Sequence, residues 1–112
     1  MIFDQFDVVV VPFPFSDGPK SKRRKALVIS NQKFNKANKN TILLMITSAV
    51  KSHWTFDVSI KNLDQAGLSK KCVVRMKSFT LDNALLLERC GRLSSNDASN
   101  VLKSWKQTCS IA

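Results

Sequence analysis

Short apolar runs, separated by turn-forming or basic segments, leave this chain little alternative to a β-rich fold. Four consecutive valines, Val8 to Val11, lie in a stretch from Phe6 to Phe15 that ends in Ser16-Asp17-Gly18-Pro19, so a strand followed by a tight loop is expected. The loop continues as Lys20-Ser21-Lys22-Arg23-Arg24-Lys25 and leads to a second strand, Ala26 to Ser30. The Asn- and Lys-rich segment Asn31 to Asn40 reads as a solvated connection, and Thr41 to Thr47 as a central strand apolar on both faces. Between Trp54 and Ile60, Trp54, Phe56, Val58 and Ile60 alternate with polar neighbours at the period of a half-buried strand.

The second half is read in the same way. Asn62 to Gly67 resembles a short helical turn stopped by glycine, and Cys72-Val73-Val74-Arg75 starts another strand. Leu85 to Leu93, interrupted by Gly91, fits either a strand or a helix. A C-terminal helix is capped by Ser94 or Ser95, carries Asp97 in its first turn, and places Ala98, Val101, Leu102 and Trp105 on one face. About five or six short strands, with connections too short for repeated crossover helices, predict a small, strongly curved barrel or half-barrel with one terminal helix. A mainly β (α+β) domain over residues 1–112 is expected, large enough for one core without metal or disulfide staples.

Charge narrows the partner. Lysine and arginine number 18 against 8 acidic residues, a net charge of +10, which points to a polyanion. The lysines fall between apolar runs and not along one helical face, which disfavours a membrane surface and leaves nucleic acid or an acidic protein. No apolar run approaches the ~20 residues of a membrane span, and Met1-Ile2-Phe3-Asp4 does not open a secretory signal, so a cytoplasmic protein is expected. Cys72, Cys90 and Cys109 are too widely spaced for a disulfide framework or a zinc pattern and are read as reduced; with His53 the lone histidine, neither metal nor cofactor is expected.

The chain has no Gly-rich phosphate loop, no Gly-x-Ser-x-Gly and no His-Glu-x-x-His, and its carboxylates are dispersed. A two-metal nuclease needs paired acids. RNA allows another route, because its 2′-hydroxyl can attack the adjacent phosphate. Such a catalyst must neutralise the charge on the phosphorane, a task for arginine's planar fork together with a hydroxyl donor.

Phe6-Asp7-Val8-Val9-Val10-Val11-Pro12-Phe13-Pro14-Phe15-Ser16-Asp17, followed by Ser21-Lys22-Arg23-Arg24-Lys25-Ala26-Leu27-Val28-Ile29-Ser30, resembles the opening of the MazF/PemK toxins. Ile46-Thr47-Ser48, Ala66-Gly67-Leu68, Val73-Val74-Arg75, Phe79-Thr80-Leu81-Asp82 and Gly91-Arg92-Leu93-Ser94 continue the resemblance in order along nearly the whole chain. The resemblance implies an SH3-like barrel with a C-terminal helix, a homodimer, sequence-selective cleavage of single-stranded RNA, and inhibition by an acidic antitoxin. The loop arginine of the family falls on Arg24, its strand-end threonine on Thr47 and its later arginine on Arg75. Arg24 and Thr47 are then the catalytic candidates, with Lys20, Lys22, Arg23, Lys25, Ser48, Arg75 and Lys77 as candidate RNA contacts.

Three departures stand out. Phe6 replaces the usual glycine before Asp7, Lys25 replaces the proline after the loop arginine, and Lys77 stands where some members carry an aspartate that is a candidate base. The general base is therefore unassigned. A non-catalytic nucleic-acid binder, a gyrase-inhibiting relative and a degenerate toxin that only pairs with its antitoxin remain alternatives. So do plainer roles: a solvated turn for Arg23 and Arg24, a packed methyl for Thr47, and an ion pair from Arg75 to Asp57 or Asp82. His53 reads as an exposed loop residue, Trp105 as core, and Trp54 and Phe56 as base-stacking candidates of which one at least should be core.

Overall fold

Asp7–Phe13 (β1) is buried along almost its whole length because both of its faces meet apolar neighbours. Val8 joins a core with Leu27, Leu44, Ile46, Val74 and Val101, while Val9 and Val11 join a second with Phe3, Val28, Leu43, Leu81 and Leu86. Residues on alternate sides of one strand thus feed two cores, which is why four valines can follow one another without exposing any. Each such side chain withdrawn from water stabilises the fold by roughly 1.5–3 kcal/mol.

The structure, a computed structural model, describes residues 2–14, 22–48 and 52–111. The remaining strands are Lys22–Val28 (β2), Asn40–Thr47 (β3), Val58–Ser59 (β4), Val73–Asp82 (β5) and Glu88–Arg92 (β6). They form a curled six-stranded sheet in the order β4-β5-β3-β2-β1-β6, antiparallel at every pairing. The helices are Gln32–Asn38 (α1), Leu63–Ala66 (α2) and Ser95–Thr108 (α3). The expected mainly β barrel with a C-terminal helix is what the chain forms. No helix among the described residues is long and apolar enough to cross a membrane.

The helix α3 closes the first core with Val101, and Ala98, Leu102 and the half-buried Trp105 pack at its margin. Ser94 caps it, its hydroxyl accepting from the Asp97 amide at 3.1 Å. Asp97 does more than face the helix dipole: fully buried, it accepts from the amides of Lys61 (3.0 Å) and Asn62 (2.9 Å), fixing the turn before α2. The expected glycine stop after that turn is present, Gly67 lying at φ 73°. A side chain there would also strike the Cys90 carbonyl, so α2 lies directly against β6.

Four expectations give way. Lys22 to Lys25, read as loop, are strand, because β1 supplies a ladder opposite them, Phe13 to Lys22 through Val10 to Lys25. Asn31 to Asn40, read as a solvated connection, contains α1, capped by the Asn31 side chain. The strand expected over Trp54 to Ile60 shrinks to Val58–Ser59, because Trp54 to Asp57 form a turn with Phe56 at φ 71°. Trp54 and Phe56 are each 43% exposed, so neither is core. The ambiguous stretch from Leu85 to Leu93 resolves into β6 after a short 3-10 turn, Asn83–Leu85.

Phe6 keeps the backbone conformation a glycine would favour, φ 73°, held by its amide to the Val28 carbonyl (2.7 Å) and its carbonyl to the Leu93 amide (3.0 Å). Asp7, next in sequence, is buried and faces Arg92 at 3.2 Å and Arg89 at 3.6 Å, an ionic tie between β1 and β6.

Candidate active site

The outer end of β2 projects past the core: Lys22, Arg23 and Arg24 are exposed and Lys25 half-buried, whereas Ala26, Leu27 and Val28 are buried. Its neighbour β3 pairs Ala26 with Met45. Extending that register by two residues brings Arg24 level with Thr47, and since paired residues of antiparallel strands share a face, both point the same way. Arg23, Arg24, Thr47, Ser48, Leu68 and Cys72 line one hollow of about 510 Å³, with Lys25 at its wall. The side chains of Arg23 and Arg24 make no hydrogen bond or ion pair with any described residue, and no described carboxylate lines the hollow. Arg24 and Thr47 thus share one face at the end of the two strands, and with the neighbouring Arg23 and Ser48 they border a concave, positively charged surface, an arrangement suited to holding a phosphodiester.

Other cations expected to meet RNA are placed differently. The Lys25 ammonium donates to the Gly67 carbonyl at 2.9 Å, linking β2 to the end of α2. Its charge reaches two thiols: burial pushes Cys72 and Cys90 up from the ordinary cysteine value, and Lys25 opposes the rise at both, helped at Cys72 by Lys70. Arg75 is buried. Its Nε and Nη2 donate to the two carboxylate oxygens of Asp57 at 3.2 and 2.9 Å, and Nη1 and Nη2 donate to the hydroxyl and carbonyl oxygens of Ser52 at 3.1 and 3.3 Å. The Trp54 ring covers it, 5.0 Å from centroid to guanidinium carbon.

Of Asp57 and Asp82, Arg75 meets Asp57; Asp82 instead caps the turn after β5. Burial alone would raise the Asp57 carboxyl, but hydrogen bonds from Arg75 and the Trp54 amide, with the charges of Arg75 and His53, hold it below the usual carboxylate range. The Asp57 bond in turn raises Arg75. The His53 side chain is exposed, with Nδ1 3.9 Å from Asp57. Lys77 is exposed on a bulge of β5, where the register against β3 jumps from Leu44–Ser78 to Met45–Arg75. Lys22 lies at the outer tip of β2, and Lys20 falls outside the described residues.

A second hollow of about 510 Å³ shares Ser48 and Cys72 with the first and carries His53, Lys61 and Lys71 on its other walls. Nothing in the sequence signals it: Lys61 and Lys71 stand on either side of α2, and only the fold of that turn brings them to one cavity. A hollow of about 650 Å³ beside Asp64 and Asn96 lies at the start of α3, where Ser94 and Asp97 already engage the nearby amides. Among the described residues, no three of His, Cys, Asp or Glu come together.

Residues 4–108 match the family model described as PemK-like, MazF-like toxin of type II toxin-antitoxin system. No curated protein sequence matches the chain. Among solved structures, the MazE-MazF complex (Form-III) from Deinococcus radiodurans superposes with a TM-score of 0.78 at 18% identity, over 100% of both chains. An endoribonuclease in complex with its cognate antitoxin from Mycobacterial species gives 0.73 at 13% identity, over 99% of this chain and 96% of that one. The Mycobacterium tuberculosis toxin MazF-mt6 gives 0.73 at 16% identity, over 90% of this chain and 93% of that one. At these identities the likeness is one of fold.

Proposed function

Because the chain belongs to the PemK-like, MazF-like toxin family of type II toxin-antitoxin systems, we propose that it is a metal-independent endoribonuclease acting on single-stranded RNA. The ribose 2′-oxygen attacks the adjacent phosphorus, the bond from phosphorus to the 5′-oxygen breaks, and the products are a 2′,3′-cyclic phosphate and a 5′-hydroxyl. One proton passes from the attacking hydroxyl to solvent water and one arrives on the departing oxygen. Arg24 grips the non-bridging oxygens as charge builds on them and acts as the donor to the departing oxygen, while Thr47 adds a hydroxyl beside it. Arg23, Lys22, Ser48 and Lys77 touch the flanking backbone. Lys25 and Arg75, whose cationic ends are engaged within the chain, act through structure: Lys25 by holding β2 to α2, Arg75 by holding the turn from Ser52 to Asp57.

The observation that carries this assignment is the lack of any described partner for the Arg24 side chain at a hollow it shares with Thr47. A buried or paired arginine would have to break bonds to meet a phosphate; among the described residues, none holds Arg24. The cationic surface also suits an acidic partner; the Deinococcus neighbour is a MazE-MazF complex and the mycobacterial one a complex with its cognate antitoxin, and we propose that an acidic antitoxin pairs with this chain, with the toxin as a homodimer.

The test is cleavage of single-stranded RNA by purified protein in EDTA, with product ends identified by mass. Fragments ending in cyclic phosphate and 5′-hydroxyl are expected. RNA left intact in EDTA but cut once Mg²⁺ is added overturns the mechanism. A binding-only module on the same barrel is the second reading. One observation favours it: no described carboxylate or imidazole lines the Arg24 hollow, and Lys77 occupies the position of the candidate base of some relatives. Undiminished RNA binding with no cleavage in either buffer selects it.

A further inference from the structure

The Arg24 hollow accounts for one phosphodiester and leaves the neighbouring hollow without a role. That cavity is joined to the first through Ser48 and Cys72, and its own residues have a definite chemistry. Lys61 and Lys71 bring two exposed ammonium groups, Ser48 and Ser59 bring hydroxyls, and no described carboxylate lines it. Ile60, Leu63 and Val73 supply apolar wall. Its volume of about 510 Å³ falls within the range of roughly 300–1,000 Å³ typical of small-ligand sites.

His53 lines this hollow, and the next residue in the chain, Trp54, lies outside the lining, 43% exposed, with the Arg75 guanidinium over one side of its ring. The Arg75 guanidinium is fixed in turn by Asp57 and Ser52, so the indole is a rigid platform and not a loose loop side chain. Cations that follow a backbone beside an aromatic that can take a base are what single-stranded nucleic acid binds. An acidic peptide would use the ammonium groups and leave the indole idle.

We propose that the hollow of Lys61 and Lys71 is a flanking-nucleotide subsite, which takes the phosphate of an RNA nucleotide neighbouring the scissile one and stacks a base on Trp54. The proposal builds on the ribonuclease assignment above. It makes this chain's affinity depend on substrate length: an oligonucleotide long enough to fill both hollows meets two further cations and a stacking surface that a dinucleotide cannot reach.

The experiment measures binding by fluorescence anisotropy, using RNA oligonucleotides blocked by 2′-O-methylation so that cleavage plays no part. A dinucleotide is compared with an oligonucleotide of about ten nucleotides, since one OB-type site covers about 4–16. For K61A/K71A the longer probe should bind about tenfold more weakly, and its salt slope should fall by about 0.7, the value for one phosphate of a single strand no longer neutralised. The dinucleotide should bind as before. W54A should weaken the long probe and W54F restore much of it, stacking being worth roughly 1–3 kcal/mol per base.

The control is K33A/K36A, which removes the same charge from the exposed face of α1, no residue of which lines either hollow. An equal loss in the control shows that bulk charge alone is at work and overturns the subsite. So does a K61A/K71A variant that binds both probes like the parent, or one that loses only a polyglutamate peptide. If K61A/K71A loses the long probe while unblocked RNA is never cut by the parent, the subsite stands and the ribonuclease assignment falls. If RNA is cut and both probes bind K61A/K71A normally, the reverse holds.

Discussion

Arg24 and Arg75 lie on the same face of one sheet, both beside β3, yet the chain treats their charges in opposite ways. Met45 pairs with Ala26 on one side and with Arg75 on the other, while Thr47, two residues along, stands level with Arg24. At Arg75 every nitrogen of the guanidinium has a partner, and an indole covers what remains. At Arg24 no described residue answers the charge. A cation that is hydrogen-bonded on all sides rigidifies its surroundings; one left open at a hollow is available to an anion from outside. Position on the sheet does not separate the two arginines. The carboxylate of Asp57 does, together with the turn that delivers it.

The largest expected effect follows from that contrast. Arg24→Ala should lower the rate of RNA cleavage by about 10²–10³-fold, the loss typical when one donor to a developing oxyanion is removed. Its melting temperature should match the parent's, because an exposed side chain with no partner among the described residues contributes little to stability. RNA affinity should fall only modestly, since the other cations remain. Arg24→Lys should recover part of the rate, a point charge replacing a two-pronged donor. A variant that melts early and still cuts would exchange the roles of the two arginines.

Arg75→Ala should give the complementary result, a lower melting temperature and a smaller loss of cleavage, because Asp57 would be left buried without its partner. The Trp54 emission should shift to the red as the indole loses its support. Asp57→Asn removes the charge and permits a pH check. The carboxyl is held below its reference value of 3.8, so its contribution to stability is complete above that value and fades as pH falls through the lower folded value. The melting difference between parent and Asp57→Asn should therefore be full at neutral pH and narrow only in acid. An unchanged melting temperature in Arg75→Ala, with cleavage abolished, would mean that Arg75 meets RNA directly.

The same contrast explains what the sequence made legible. Val8 to Val11 and Ile42 to Ile46 could be read as strands because burial on both faces demands apolar residues at every position, and α3 because one face carries Ala98, Val101, Leu102 and Trp105. The helix α1 could not: its only buried residue is Asn35, and polar bonds hold it in place. Asn35 Nδ2 donates to the carbonyls of Phe3 (3.1 Å) and Ser30 (3.2 Å), the Ser30 hydroxyl donates to Asn35 Oδ1, and Asn83 Nδ2 donates to the Asn35 carbonyl (2.8 Å). Partners up to 48 residues apart leave no local period.

Likewise, the alternation from Trp54 to Ile60 was real as a pattern, but a left-handed residue at Phe56 turns the chain out of the sheet. The basic run Lys22 to Lys25 is strand because of β1, which local composition does not disclose. As to the site, family order alone points to the arginine and the threonine, whereas their nearness follows from a β2–β3 register that no single segment contains. Lys25 looked like one more RNA contact; the Gly67 carbonyl that engages it lies 42 residues away.

A gentler probe of the open end is Cys72, which lines the Arg24 hollow while being half-buried. At neutral pH a thiol reagent should modify the exposed Cys109 first and Cys72 and Cys90 more slowly, because burial both restricts access to these two and raises their pKa. An uncleavable RNA analogue lying across Arg24 and Thr47 should slow Cys72 further and leave Cys90, which does not line the hollow, as it was. Lys25→Met should also slow both thiols, since the ammonium that favours their thiolates is gone. The two effects are separable: charge removal acts on Cys72 and Cys90 together, whereas bound RNA acts on Cys72 alone. Equal protection of both thiols would place the RNA elsewhere on the sheet, and with it the difference between the open arginine and the engaged one would lose its functional meaning.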